Sequence, residues 1–252
     1  MDIRVLGNGP ADPFLSAAEL LATEYDVERP VHVRVRNDPD ERTWAGHYED
    51  RHVLNISRQA STSAMARELA LHELAHMVRY EESHPSHTFS TEEALFLALA
   101  GRTVERRKIS HCYQIANHLR DIYADDITID VAPADKLVDF FESQLAAALS
   151  DRPAAPPRPD SVRTSSAADP DITAVNAAFA LAMVERHDLV DGDHRLYDLA
   201  HAAANDAPEV AFDSFRRQFR SLVDDPTESD VRKALVDATR EYCVDAGSTA
   251  AD

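Results

Sequence analysis

Residues 67–82 read RELALHELAHMVRYEE, and neither glycine nor proline occurs between Ser61 and Ser83. A run like this commits the chain to helix, and helix decides what the embedded HELAH can be. His72 and His76 lie one turn apart, ~6 Å along the axis and on the same face, where two imidazoles can share one metal ion. Glu73 projects ~100° further round, beside the ion rather than on it. Ala70, Leu71, Leu74, Met77 and Val78 form a separate apolar arc, so the helix has a core face and a histidine face. The pair therefore predicts a zinc site, with Zn2+ held by His72 and His76 and Glu73 placed for general-base work.

The pattern does not continue as HExxHxxGxxH, because Arg79 and Glu82 occupy the next two positions it needs. A third ligand must come from elsewhere, and two places offer a carboxylate. Glu92 and Glu93 follow His76 by 16 and 17 residues, although Glu93 is also explained as the N3 partner of Ser90 in a capping box. DIYADD, at 121–126, places Asp121 and Asp125 one turn apart, with Asn117 one turn earlier. Asp121 is assigned as the third ligand, with Asp125 and Asp126 as the neighbouring alternatives. His84 and His87 follow the helix and could line a cleft; His111, Tyr113 and His118 are candidates to steady an oxyanion. Cys112 reads as a small buried apolar residue, and two cysteines are too few for a disulfide framework or a cysteine zinc cage.

Ahead of the helix, Val31, Val33 and Val35 alternate with His32, Arg34 and Arg36, a strand with one buried face. Segments 43–48 and 52–57 read as two more strands, giving a small antiparallel meander. Helices are expected from Ser61 or Ser63 to Glu82, 90–107, 110–126 and 133–150. Residues 151–170 hold five prolines and read as a linker or mobile loop. Four further helices are expected over 172–184, 197–204, 209–223 and 229–244. The predicted organisation is an α+β domain at 1–150, the linker, and a helical C-terminal subdomain at 171–252.

Charge narrows the partners. The net charge is −19, from 45 acidic and 26 basic residues. A surface of that sign repels phosphate backbones, so no nucleic-acid role is expected. No apolar run approaches the ~20 residues of a membrane span, and the start lacks a signal-peptide pattern, so a cytoplasmic protein is expected. Asp outnumbers Glu by 28 to 17, and only three of the 26 bases are Lys. Molar salt shortens the screening length to ~3 Å and quenches the self-repulsion of such a chain. Its melting temperature should therefore rise between low salt and molar KCl; equal values at both would refute the salt-adapted reading.

The strings TWAGHYEDRHVLNISRQA, ALHELAHMVRY, HPSHTFSTEEALFLALAG and HCYQIANHLRDIYADDITI together resemble a haloarchaeal family of HExxH proteins whose chemistry is not established. DIYADD also resembles the ExxAD element of one group of zincins, in which the first acid binds zinc and the later Asp steadies a zinc-bound histidine. Here Asp121 stands where that element has Glu. The resemblance implies a zincin-like fold, a small antiparallel sheet followed by the HExxH helix and a helical bundle. In zincins the sheet's edge strand pairs with an extended peptide. The reading that follows is a zinc metallopeptidase acting on a peptide or protein substrate. Its alternative is a non-catalytic, zinc-stabilised interaction or regulatory module.

Overall fold

The computed structural model describes residues 1–39, 42–151 and 169–243. In chain order they form β1 (Ile3–Leu6), α1 (Asp12–Leu21), β2 (Val31–Arg36), β3 (Trp44–His47), β4 (His52–Ser57), α2 (Arg58–Ser61), α3 (Ala66–Glu81), α4 (Pro85–Thr88), α5 (Thr91–Leu99), α6 (Arg106–Val131), α7 (Asp135–Ser150), α8 (Pro170–Arg186), α9 (Arg195–Asp206), α10 (Phe212–Arg220) and α11 (Glu228–Cys243). The class is α+β, as expected. Among the described residues no helix is long and apolar enough to cross a membrane. The chain divides into two compact units, Met1–Thr88 with Arg120–Lys136, and Phe89–Leu119 with Leu137–Asp252.

The first unit holds a four-stranded sheet in the order β1-β2-β4-β3. The three strands read from the sequence are present, but the antiparallel meander is corrected to a mixed sheet. Strand β2 runs parallel to both β1 and β4, with Val31 opposite Ile3 and His52, and only β3 is antiparallel to its neighbour. Two features account for this. The DPFLSAAELL segment forms α1, with Pro13 in its first turn, and supplies the crossover that a parallel β1–β2 pair requires. Strand β4 is then flanked on both sides, and all six of its residues, HVLNIS, are buried. Alternation disappears in a strand covered on both faces.

Phe14, Ala17 and Leu21 of α1 and Ala70, Leu71, Leu74, Met77 and Val78 of α3 bury against Val31, Val33, Leu54 and Ile56 of the sheet. The predicted core face of the HELAH helix is thus the face that packs. That helix starts later than expected, at Ala66. Ser61, Thr62 and Ser63 turn their hydroxyls back to the carbonyls of Arg58 and Ala60, at 2.8–3.1 Å, and so compete with helix continuation.

At its other end α3 closes in a Schellman motif. The His84 N–H donates to the Arg79 carbonyl at 2.9 Å and the Ser83 N–H to Tyr80 at 3.0 Å, with Ser83 at φ 54. A left-handed serine stands where glycine is usual, and it turns α4 back along the helix it has just left.

In the second unit, the Ser90 Oγ accepts the Glu93 N–H at 3.1 Å and caps α5 as expected. Ser90→Ala should therefore cost about 1 kcal/mol in a urea titration; no change would mean the cap is redundant. Helix α5 stops at Leu99, short of the expected 107, where Gly101 takes φ 74. Helix α8 is buried around nearly its whole circumference, from Ile172 to Val184, which makes it the centre of this unit. Asp169 caps it and Pro170 opens it. The rest of the proline-rich stretch, 152–168, lies outside the described residues.

Candidate metal centre

All the groups of this site belong to the first unit. Helix α3 presents His72 and His76 on one face, with their Nε2 atoms 3.0 Å apart and their rings edge to face. Residues 120–131 of α6 bring Asp121 against them, its Oδ1 3.3 Å from the His76 Nε2 and 3.7 Å from the His72 Nε2. Among the described residues these three form the one cluster of His, Cys, Asp or Glu whose donor atoms converge closely enough for a metal ion.

The other expected acids are placed elsewhere. Asp125, one turn beyond Asp121, is 2% exposed and sets its Oδ1 2.7 Å from the Nδ1 of His72. It orients His72 rather than joining the donor cluster. Glu92 and Glu93 sit in the first turn of α5 in the second unit, near Ser90 and Arg232. Asp126 is not in the cluster.

His76 is oriented by a chain that the left-handed turn at Ser83 delivers. Its Nδ1 lies 2.7 Å from the His87 Nε2, the His87 Nδ1 lies 2.8 Å from the Ser86 Oγ, and that oxygen lies 2.7 Å from the His84 Nδ1. The outer end fixes the direction. The Ser86 backbone N–H donates to the His84 Nδ1 at 3.2 Å, so that nitrogen is an acceptor. The Ser86 hydroxyl must then donate to His84 and accept from the His87 Nδ1–H. Burial pushes His87 down to about 2, with His76, Arg120 and His84 adding to it, so its Nε2 keeps a lone pair and accepts from the His76 Nδ1–H.

Both histidines therefore commit their Nδ1 hydrogens outward, to Asp125 and to His87, and turn their Nε2 atoms inward. Two imidazole lone pairs and a carboxylate oxygen meeting at 3.0–3.7 Å repel one another unless something positive lies among them. A shared proton is one answer. Burial alone would push His72 down, but Asp125, with Asp121 and Glu73 behind it, holds it up to about 10. A metal ion is the other. Tetrahedral zinc with bonds of ~2.0–2.1 Å separates its donors by about 3.3 Å, within the range seen here, and the oriented histidines match the usual outer-shell pattern. The residues fit zinc.

Glu73 is 7% exposed beside the cluster. Burial raises its pKa, while His72 and His76 pull it down and the Ala45 N–H donates to its carboxylate. Ala45 lies on β3, the free edge of the sheet. The Tyr48 N–H donates to the Arg51 carbonyl at 2.9 Å, and alternation along the hairpin turns the amides of Ala45 and His47 away from β4. Glu73 thus feels the charge of both histidines and is hydrogen-bonded to the sheet edge.

Sequence reading had no signal for the Ala45 amide, which is backbone, or for Ser86. It also missed His47 and His52. The His52 Nε2 meets Glu81 Oε1 at 2.9 Å and its Nδ1 meets that of His47 at 3.0 Å, while His47 stacks on Tyr80. The oxyanion candidates are held within the second unit. His111 pairs with Tyr242, His118 with Asn176 and the Phe179 ring, and Tyr113 is exposed.

The chain belongs to the family of unknown function DUF5781, whose family model matches residues 1–244. Among curated proteins and among solved structures, none matches it.

Proposed function

Starting from a family with no assigned chemistry, we propose that this protein is a zincin-like, zinc-dependent hydrolase of peptide bonds. His72, His76 and Asp121 would hold the metal and Glu73 would serve as general base. The observation that carries the reading is the convergence of three inward-facing acceptors with a buried carboxylate beside them. A purely structural zinc site is closed by a fourth side chain and has no use for that carboxylate. Zinc, when bound, supplies Lewis acidity towards a carbonyl oxygen and lowers the pKa of water towards neutrality.

The remaining steps belong to side chains and backbone. Asp125 and His87 hold the two imidazoles in the tautomer that leaves each Nε2 free to ligate. A Glu73 carboxylate oxygen takes the proton of the attacking water and later hands it to the departing amine nitrogen. With the Ala45 amide held by Glu73, the outward His47 amide of β3 can pair with an extended peptide, laying its backbone beside Glu73. The acidic, Lys-poor composition supports a salt-adapted protein of haloarchaeal type, so the assay belongs in molar KCl.

The test is metal analysis followed by a broad peptide library. We expect one zinc per chain, lost in His76→Ala, with cleavage that stops on chelation and returns with zinc. Zinc bound without cleavage would favour a metal-stabilised interaction module, and no zinc at all would reject the site.

A further inference from the structure

The chain has two cysteines, 131 residues apart, and the fold brings them together in the second unit. Cys112 on α6 and Cys243 on α11 place their sulfurs 3.4 Å apart. Both thiols are reduced, Cys112 buried and Cys243 partly exposed. We propose that this pair is a reversible disulfide site, closed by a low-molecular-weight disulfide, that ties α11 to α6.

The surroundings give the two sulfurs different roles. The Cys112 thiol beside Cys243 lowers the pKa of Cys243, and Lys108, one turn before Cys112, acts in the same direction. The hydrogen bond to Cys243 and burial together raise that of Cys112. Cys243 is thus both the reachable sulfur and the better thiolate. Its thiolate attacks one sulfur of the small disulfide, forming a mixed disulfide and releasing one small thiolate. Cys112 then loses its proton and attacks the Cys243 sulfur, and the second small thiolate leaves. Two protein thiols are oxidised to one disulfide, and one small disulfide is reduced to two small thiols.

The buried Thr239 hydroxyl, one turn before Cys243, is placed to donate to the Cys112 sulfur and favours its ionised form. It marks where charge appears in the second step. The first step needs no rearrangement of the core. The second is fast because the fold holds the resolving sulfur in contact with the mixed disulfide.

The helix already has other anchors. Arg240 donates to the Leu97 carbonyl at 3.3 Å, and Val231, Leu235 and Ala238 are buried. The disulfide therefore constrains the unfolded chain more than it reshapes the folded one. Closing a loop of this length should raise the melting temperature by about 5 °C or more.

The experiment uses the full chain, oxidised with glutathione disulfide or reduced with dithiothreitol, then digested with trypsin after alkylation. We expect one cross-linked species joining Ile109–Arg120 to the peptide that begins at Glu241. Intact mass should fall by two hydrogens, and the melting temperature should rise and then return on reduction. Cys112→Ser should stall as a glutathione adduct on Cys243, and Cys243→Ser should leave Cys112 unreactive. The proposal is overturned if wild type accumulates a stable adduct with Cys112 still free, links chains into dimers, or stays reduced in excess oxidant. Should a variant fail to fold, the wild-type peptide map decides alone.

Discussion

Glu73→Gln should leave zinc bound and the fold intact while hydrolysis falls by ~10²- to 10⁴-fold, the usual worth of general-base assistance. The amide keeps the size of the side chain and can still accept the Ala45 N–H through its oxygen. It loses the negative charge and the lone pair that takes a proton. Burial makes the change tolerable to the fold. Glu73 is pushed towards its neutral form by desolvation, so a neutral replacement relieves a cost even as it loses the attraction of His72 and His76. The measurement is zinc content and melting temperature alongside turnover of whichever peptide the library identifies. Equal turnover with zinc still present would remove Glu73 from the mechanism.

Asp121→Ala should weaken zinc binding by about 150-fold, and Asp125→Ala by about 10- to 100-fold. The first figure takes one ligand's share of the ~10–16 kcal/mol seen for structural zinc, on the order of 3 kcal/mol. The second reflects loss of an orienting partner. Both residues are acids on one face of α6, but Asp121 meets the two Nε2 atoms and Asp125 meets only the outer nitrogen of His72. Competition against a chromogenic chelator separates the two effects. Reversal of the order would exchange their roles. Glu92→Ala and Glu93→Ala should leave affinity unchanged; a site emptied by either would reject Asp121 as the ligand.

The HELAH helix was legible because two local rules agreed on it, an unbroken helical run and an apolar arc distinct from the histidines. The Ser90 cap and the four C-terminal helices were legible for the same reason. The sheet was not. Strand β1 is four residues long and α1 carries no motif, so the crossover that makes the pairing parallel left little trace in the local pattern. Each of the three acids within DIYADD is a candidate ligand in the sequence, because the rotation of α6 is set by what its Ala124 and Ile127 pack against, residues of α1, α3 and the sheet that lie far away in sequence. The orienting chain through His87 depends on a serine adopting the left-handed conformation, where a sequence reader looks for glycine. Backbone groups such as the Ala45 amide are invisible to any reading based on side-chain identity.

Asp121 comes 45 residues after His76, and residues 89–119 between them belong to the other unit. During synthesis the two histidines therefore emerge well before the acid that completes their cluster. At ~5–20 residues per second the ribosome delivers it some ~2–9 s later. A nascent chain that has reached residue 119 displays two imidazoles one turn apart and nothing to close the third side. If the site holds zinc as proposed, firm metal retention must wait until the later half of α6 docks, and zinc content would report that docking. A polypeptide halted at residue 119 should lose zinc to a chelator that the finished chain resists.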